Sequence, residues 1–307
     1  MSRIYEALQR ADLEQKAAHQ VENLRSIDPI EIPTFEEAPT FEEAPPLKTE
    51  VALENIATHS WALSTVSFPT LEDRGAGVEQ FRSLRSRVYQ FRYEAPLKTI
   101  LVCSGMPAEG KSFVTANLAM SLARNSVNNI LLIDADLRRP TLHNLLGAPN
   151  KPGLSEYLAG TAEFDEIMQR DKNPAAGGRV SNLTFIPAGQ CSDNSSELIT
   201  NHRIEALIET ASPHFDWILI DSPPVLAVTD AVDIARAADA VLLVAREAST
   251  PFDVAQRTQA AFAKSRILGF VLNAAKDAGK SGSYNYYYGS SDAAGEPAPG
   301  KDKRRKG

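Results

Sequence analysis

A glycine-containing segment near residue 105 joins an apolar run to a helical pattern. Residues 99–103 form the apolar run, which predicts a buried strand, and residues 113–124 have helical periodicity. Between them, residues 105–112 read GMPAEGKS and fit G-x-x-x-x-G-K-[ST], in the strand–loop–helix order that this motif requires. Glycines allow backbone N–H groups to close around phosphate oxygens, and the helix N-terminus adds partial positive charge. The segment therefore predicts a phosphate-binding P-loop.

The P-loop gives its side chains distinct roles. Lys111 is expected to reach the β- and γ-phosphates of a nucleotide, and the Ser112 hydroxyl is expected to bind Mg²⁺. A chance match in a surface loop is the alternative, and the flanking strand and helix argue against it. The candidate ATP-binding residues of the loop are Gly105, Glu109, Gly110, Lys111, Ser112 and Phe113.

Apolar runs alternate with helical stretches between residues 98 and 274. This alternation predicts an α/β fold whose mostly parallel sheet carries helices on both faces, with the ligand at the carboxyl ends of the strands. The predicted strands are 99–103, 130–133, 183–186, 217–220, 240–244 and 268–272.

Three of the predicted strands end in polar side chains. Asp134 and Asp136 follow the second strand, Asp221 follows the fourth, and Asn273 follows the last. Each Asp alone is as well explained by a turn or a strand-end cap, but carboxylates beside a P-loop suit Mg²⁺, which takes oxygen ligands. We expect Asp136 and Asp221 to hold the metal with Ser112, Asp134 to orient or deprotonate the phosphoryl acceptor, and Asn273, by fold analogy, to contact adenine. The candidate catalytic residues are Lys111, Asp134, Asp136 and Asp221.

Composition restricts the partners and the compartment. The chain has 307 residues and a net charge of −7, so nonspecific nucleic-acid binding is not expected. Cys103 is expected to be a small core residue and Cys191 lies in a polar stretch, so the sequence contains neither a disulfide framework nor a zinc spacing. No apolar run is long enough to span a bilayer, and the N-terminal residues are charged throughout. We therefore expect a cytoplasmic protein that reaches the inner face of the membrane only through a partner.

The chain divides into four parts by composition. Residues 1–27 contain a short amphipathic helix, either a weakly ordered leader or a docking helix for a partner. Residues 28–75 hold an acidic linker with a tandem PTFEEA repeat, and no element is predicted over 51–75. Residues 76–278 are expected to form the P-loop domain, and residues 279–307 a disordered, tyrosine-rich tail.

A further helix is predicted over residues 79–93. Along one side of it, Glu79, Arg82 and Arg85 follow the spacing E-x-x-R-x-x-R. Salt bridges within the helix, on a solvated face, explain this spacing and contribute little to stability. The alternative is a contact with a neighbouring subunit.

Half of the eight tyrosines lie within five positions of the tail, at residues 284–288. A segment that cannot fold has no hydrophobic core in which to bury aromatic rings, and it is flexible enough to reach an active site. A strand within an assembly and an aggregation-prone segment are the alternatives.

These motifs together resemble those of the bacterial tyrosine kinases (BY-kinases) of capsule and exopolysaccharide systems, P-loop proteins related to the MinD/ParA ATPases. Residues 107–112 are similar to the family's loop P-G-E-G-K-S, residues 133–138 to its Walker A′ pattern apolar-D-x-D-x-R, and residues 220–224 to its Walker B pattern. The tyrosine cluster is similar to the family's C-terminal cluster. The resemblance covers roughly residues 79–290.

The resemblance implies an ATP- and Mg²⁺-dependent protein-tyrosine kinase. It implies that tails are phosphorylated in trans within a homo-oligomeric ring held by Glu79, Arg82 and Arg85, and that phosphorylation regulates polysaccharide polymerisation and export. It also implies a separate transmembrane activator. The implied autophosphorylation sites are Tyr284, Tyr286, Tyr287 and Tyr288.

One position departs from the family pattern, and two other functions stay open. Ala108 stands where the family usually has Gly, so a positive φ at this position would strain the loop. The other functions are a MinD/ParA-like ATPase that positions cargo and a non-enzymatic nucleotide-bound scaffold. Such ATPases usually carry a second lysine just after the first loop glycine, where this chain has Met106, so the kinase is favoured.

Overall fold

The computed structural model describes residues 56–124, 127–172, 182–190, 195–200 and 203–275. The predicted N-terminal helix, the acidic repeat and the tyrosine cluster lie outside these residues.

Eight strands of the described residues form one sheet. They are β1 (Ala57–His59), β2 (Thr99–Ser104), β3 (Ile130–Asp134), β4 (Gln169–Asp171), β5 (Leu183–Ile186), β6 (Trp217–Asp221), β7 (Ala240–Arg246) and β8 (Ile267–Asn273). Their order across the sheet is β1-β4-β5-β3-β6-β2-β7-β8, and every neighbouring pair is parallel except β4 with β5. The predicted α/β fold with a mostly parallel sheet is confirmed, and the six predicted strands are all present.

Helices cover both faces of the sheet. The α-helices are α1 (Ala76–Glu94), α2 (Lys111–Ala123), α3 (Leu142–Leu146), α4 (Leu154–Leu158), α5 (Ser195–Thr200), α6 (Arg203–Ala211), α7 (Asp230–Ile234) and α8 (Phe252–Ala261). Short 3₁₀ turns lie at Pro69–Leu71 and Ala235–Ala237. Within the part of the chain that the structure describes, no helix combines the length and the apolar character needed to cross a bilayer.

The central strands are buried on both faces, which is why they read as unbroken apolar runs. Leu101 and Cys103 of β2 enter one hydrophobic core, and Ile100 and Val102, which alternate with them, enter the other. Val88 of α1 and Leu118 of α2 close the second core. Cys103 is fully buried, as predicted. The two layers fix β2 and α2 firmly on either side of the P-loop.

The segment before α1, for which the sequence predicts no element, is packed into the same domain. Phe68 is fully buried, and the Trp61 ring meets the Phe185 ring edge-on with centroids 6.1 Å apart. The Asn117 side chain on α2 donates a hydrogen bond to the Ser67 carbonyl oxygen at 3.0 Å. The packed core therefore includes residues ahead of position 76.

Candidate active site

The loop between β2 and α2 turns through left-handed backbone conformations. Gly110 has φ = 90°, and a Cβ atom there would collide with the Asn273 side chain, so glycine is required on two counts. Ala108 has φ = 65°, which for an L-residue costs about 1–2 kcal/mol. The strain that the sequence predicted at Ala108, should its φ be positive, is therefore present. α2 begins at Lys111, so its N-terminal N–H groups face the space enclosed by the loop.

Side chains beneath the loop hold it in shape. The buried Glu109 carboxylate accepts the Met106 N–H at 2.7 Å through Oε2 and the Thr250 hydroxyl through Oε1. The Asn273 side-chain amide donates to the Glu109 carbonyl oxygen at 2.9 Å. Glu109 and Asn273 thus stabilise the conformation of the loop. A contact between Asn273 and adenine stays a prediction.

Four of the predicted site residues meet at the start of α2. The Lys111 ammonium lies 3.0 Å from Asp136 Oδ2 and 3.3 Å from Asp221 Oδ2, and the Ser112 hydroxyl donates to Asp221 Oδ2 at 2.5 Å. Burial alone would lower the pKa of Lys111, but the charges of Asp221 and Asp136 outweigh it and the pKa is raised. Burial raises the pKa of Asp221, and Lys111 opposes that rise. These groups therefore form one buried cluster whose charges interact directly.

Asp134 is fully buried behind this cluster. Its Oδ1 accepts the Asp136 N–H at 3.2 Å, and its Oδ2 accepts the N–H groups of Thr141 and Leu142 at 3.2 and 3.1 Å. Burial and the neighbouring Asp221 raise the pKa of Asp134 to about 8. Asp134 thus fixes the segment that carries Asp136 and Thr141, with both of its oxygens turned toward the backbone.

A cavity of about 760 Å³ opens beside the cluster. Lys111, Ser112 and Asp136 contribute its polar lining, and Phe113 and Pro223 belong to its apolar lining. This volume lies within the range of small-molecule sites, roughly 300–1,000 Å³. Asp134 and Asp221 do not line the cavity themselves, so Asp136 is the carboxylate of the three that faces it.

Three contacts at the cavity were not predicted from the sequence. The Thr141 hydroxyl donates to Ser112 Oγ at 2.9 Å. Arg138, which lines the cavity, donates through Nε to the buried Asp230 at 3.0 Å and through Nη2 to Ser196 Oγ at 2.6 Å. Arg138 belongs to the Walker A′ pattern, but Thr141 and Asp230 fall in no motif, and only the fold brings them to the site.

The donor set fits Mg²⁺. The Ser112 hydroxyl and the carboxylates of Asp136 and Asp221 all lie within 3.3 Å of the Lys111 ammonium, so positive charge is already accommodated at this point. Among the described residues, no group of three or more His, Cys, Asp or Glu is arranged to hold a metal ion. Mg²⁺ at nucleotide sites commonly takes one or two carboxylates together with phosphate oxygens and waters. The residues present therefore suit a metal that arrives with a nucleotide.

The E-x-x-R-x-x-R residues lie away from this cluster, on α1. Arg82 Nη1 contacts Glu79 Oε1 at 2.6 Å on an exposed face, whereas Arg85 Nη1 donates to the Ser121 carbonyl oxygen near the C-terminal end of α2, also at 2.6 Å. The salt bridge expected within the helix is present for Glu79 and Arg82. The contact with a neighbouring subunit stays a prediction.

Comparisons with known proteins show the family to which the chain belongs. A family model described as ParA, NUBPL iron-transfer P-loop NTPase, matches residues 97–295. The tyrosine-protein kinase wzc of Salmonella typhimurium is 36% identical over 198 residues, covering 64% of this chain and 26% of that protein. The kinase domain of the Escherichia coli tyrosine kinase ETK is 36% identical with a TM-score of 0.58, covering 68% of this chain and 80% of that domain. The chain belongs to the bacterial tyrosine kinase family of ParA-type P-loop proteins. The chimerical protein CapA2B2 has a TM-score of 0.62 at 27% identity, over 68% of this chain and 90% of that one.

The likeness to this kinase family has a limited extent. The chain spans about a quarter of the length of the curated relatives it matches, 26% in the case of wzc. The name of the family model mentions iron transfer, and cysteine thiolates are common ligands of iron. The two cysteines are far apart in the sequence, and burial raises the pKa of the Cys103 thiol to about 11. A thiol so held is a poor metal ligand, because thiolates are the binding form.

Proposed function

We propose that this chain is an ATP-dependent protein-tyrosine kinase that phosphorylates the C-terminal tyrosines of other copies of the same chain. The observation that carries the proposal is the buried cluster of Lys111, Ser112, Asp136 and Asp221 at the mouth of a P-loop cavity. The likeness to the tyrosine-protein kinase wzc and to the kinase domain of ETK supports the choice of reaction.

Each residue of the cluster has a role in this proposal. Lys111 and the loop N–H groups hold the ATP phosphates, and Ser112, Asp136 and Asp221 hold Mg²⁺ directly or through water. When bound, Mg²⁺ neutralises charge on the transferring phosphoryl group. Asp134 orients the segment that carries Asp136. Proton acceptance by Asp134 itself would require one of its backbone hydrogen bonds to be released.

The acceptor is a phenol that must lose its proton during transfer. A tyrosine has a pKa near 10, so it arrives protonated at neutral pH, and a nearby carboxylate aids the transfer. Tyr284, Tyr286, Tyr287 and Tyr288 are the proposed acceptors, reached in trans from a neighbouring subunit of a ring. Each added phosphate brings nearly two negative charges to the tail.

The cellular setting is part of the same proposal, and the family supports it. We place the chain at the inner face of the plasma membrane, held there by a separate transmembrane activator, where it regulates polymerisation and export of a capsule or exopolysaccharide. Glu79, Arg82 and Arg85 are the proposed contacts between subunits of the ring.

The test is to incubate the purified full chain with ATP labelled at the γ-phosphate. We expect label retained on tyrosine, and its loss when Tyr284, Tyr286, Tyr287 and Tyr288 are all changed to Phe. Tyr93→Phe is the matched control, because Tyr93 is 88% exposed on α1 and outside the tail. Label that persists in the fourfold variant would show that the tail is not the acceptor. Release of phosphate with no retained label would favour the ParA-like ATPase.

A further inference from the structure

A second cavity lies at the C-terminal end of α2. It has a volume of about 540 Å³ and is lined by Arg82, Arg85, Ser86, Tyr89 and Arg124. The P-loop is at the other end of the same helix, whose 13 residues span about 20 Å at 1.5 Å per residue. The second cavity is therefore separate from the nucleotide site.

Backbone carbonyl groups hold two of its arginines in place. Arg85 donates to the Ser121 carbonyl oxygen at 2.6 Å, and Arg124 donates to the carbonyl oxygens of Thr70 and Glu72 at 2.8 and 2.9 Å. A guanidinium has five N–H donors in a rigid plane. Bonds to neutral carbonyls orient that plane without cancelling its charge, so the two cations are preorganised beside the cavity.

The carboxylates near the cavity are exposed and weakly held. Glu79 pairs with Arg82 at 2.6 Å and Asp73 with Arg124 at 3.4 Å, and the two acidic side chains are 63% and 73% exposed. Exposed ion pairs of this kind contribute little, because water screens both charges. The guanidinium groups of Arg82 and Arg124 thus pair with solvated carboxylates, and an incoming dianion can replace these carboxylates at low cost.

Tyr89 adds a fixed aromatic wall. Its hydroxyl accepts a hydrogen bond from the Asn128 side-chain amide at 2.7 Å, and its ring meets the buried Trp217 ring edge-on with centroids 5.4 Å apart. An aromatic wall beside clustered guanidiniums matches an aryl phosphate, which offers a ring to the tyrosine and a dianion to the arginines.

We propose that this cavity binds phosphotyrosine, and that its occupant is the phosphorylated tail. The source of the ligand rests on the proposed function, because only a kinase acting on its own tail supplies that phosphotyrosine. Arg82 and Arg85 then have two successive partners: a neighbouring subunit before phosphorylation and a phosphotyrosine after it. The product of the reaction therefore competes with the contact that holds the ring.

Calorimetric titration with a synthetic peptide of residues 281–291, phosphorylated at Tyr286, tests the proposal. The protein is the full chain with its four tail tyrosines changed to Phe, kept with saturating Mg²⁺ and ADP so that the P-loop cannot capture the phosphate. We expect the phosphopeptide to bind at least about tenfold more tightly than the unphosphorylated peptide, since each charge-assisted bond is worth about one decade or more. Arg82→Gln and Arg124→Gln should each weaken binding about tenfold.

Arg87→Gln is the matched control, because it removes the same charge from the exposed side of α1, away from the cavity. Equal binding of both peptides would overturn the proposal, as would equal losses in the Arg82 and Arg87 variants. If Arg124→Gln fails to fold, Arg82→Gln still tests the proposal, because the Arg82 side chain is 42% exposed. Inorganic phosphate that binds as tightly as the phosphopeptide would overturn the assignment to phosphotyrosine. A synthetic peptide makes these outcomes independent of whether the chain is itself a kinase.

Discussion

The two ends of α2 carry polar sites of opposite character. At the N-terminal end, Lys111, Asp136 and Asp221 are buried and contact one another. At the C-terminal end, Arg82 and Arg124 meet exposed carboxylates and, for Arg124, backbone carbonyl groups. In the first site the buried charges pair with one another. In the second the charges pair with exposed groups, which an external anion can replace.

Burial decides how each site can behave. Removal of one partner from a buried ion pair leaves an uncompensated charge and costs about 3–5 kcal/mol, whereas exposed pairs are worth about 0–1 kcal/mol. The groups of the N-terminal cluster therefore depend on one another, and loss of any one charge leaves its partners uncompensated. The C-terminal cavity can exchange partners readily, which suits regulation.

The largest effect that separates the two ends is expected from Lys111→Met. Loss of the ammonium that holds the phosphates should slow tyrosine phosphorylation roughly 10²- to 10³-fold, the range seen when one charge-stabilising donor is removed from an active site. Phosphopeptide binding at the C-terminal cavity should be unchanged. Initial rates of label transfer and calorimetry measure the two quantities.

Lys264→Met is the control for that change, because Lys264 is an exposed lysine in a different part of the domain. A Lys111 variant that transfers label at the normal rate would remove Lys111 from the phosphate site. A variant that loses transfer yet still supports polymer production in cells would instead favour the nucleotide-bound scaffold.

The sequence alone predicts which side chains lie near the N-terminal end of α2, because strands and the loop leave recognisable local patterns. A parallel strand buried on both faces reads as a nearly continuous apolar run, and β2, β3 and β6 are apolar except at their ends. The loop and strand-end carboxylates then come together because parallel strands end at one edge of the sheet. The sequence therefore predicted that Asp134, Asp136 and Asp221 lie near the P-loop, although not the backbone partners that turn Asp134 away from the cavity. Their roles in binding and catalysis stay predictions.

Other features depend on contacts between distant segments and leave no local pattern. β1 and β4 have three residues each, reading ATH and QRD, so neither contains an apolar run, and the antiparallel pairing of β4 with β5 was not predicted. Trp61 and Phe68 lie in a segment for which the sequence predicts no element, yet both are buried against the domain. Arg124 joins Arg82 and Arg85 only because α1 packs across α2.

A smaller effect is expected at the C-terminal end from the double change Arg82→Ala and Arg85→Ala. If these residues hold the ring, light scattering should show a shift from a large oligomer to monomer. The same change removes the bond from Arg85 to the Ser121 carbonyl oxygen, so the free energy of unfolding should fall by about 1–3 kcal/mol. Arg87→Ala on the same helix is the control, and an unchanged mass in the double variant would contradict the ring contact.

The smallest effect concerns strain at the N-terminal end, at Ala108. With φ = 65°, Ala108→Gly should relieve about 1–2 kcal/mol, offset in part by the greater freedom of glycine in the unfolded chain. Ala248 has φ = 55° outside the P-loop, so Ala248→Gly relieves similar strain and serves as the control. Both variants should melt at a higher temperature, but only Ala108→Gly should bind ADP and Mg²⁺ several-fold more tightly, because the loop must keep this turn to enclose phosphate. Equal gains in nucleotide affinity would show that the strain acts on the whole domain. No gain in either would mean that the strain at Ala108 is the same in the free and the nucleotide-bound loop, so that its relief changes stability but not binding.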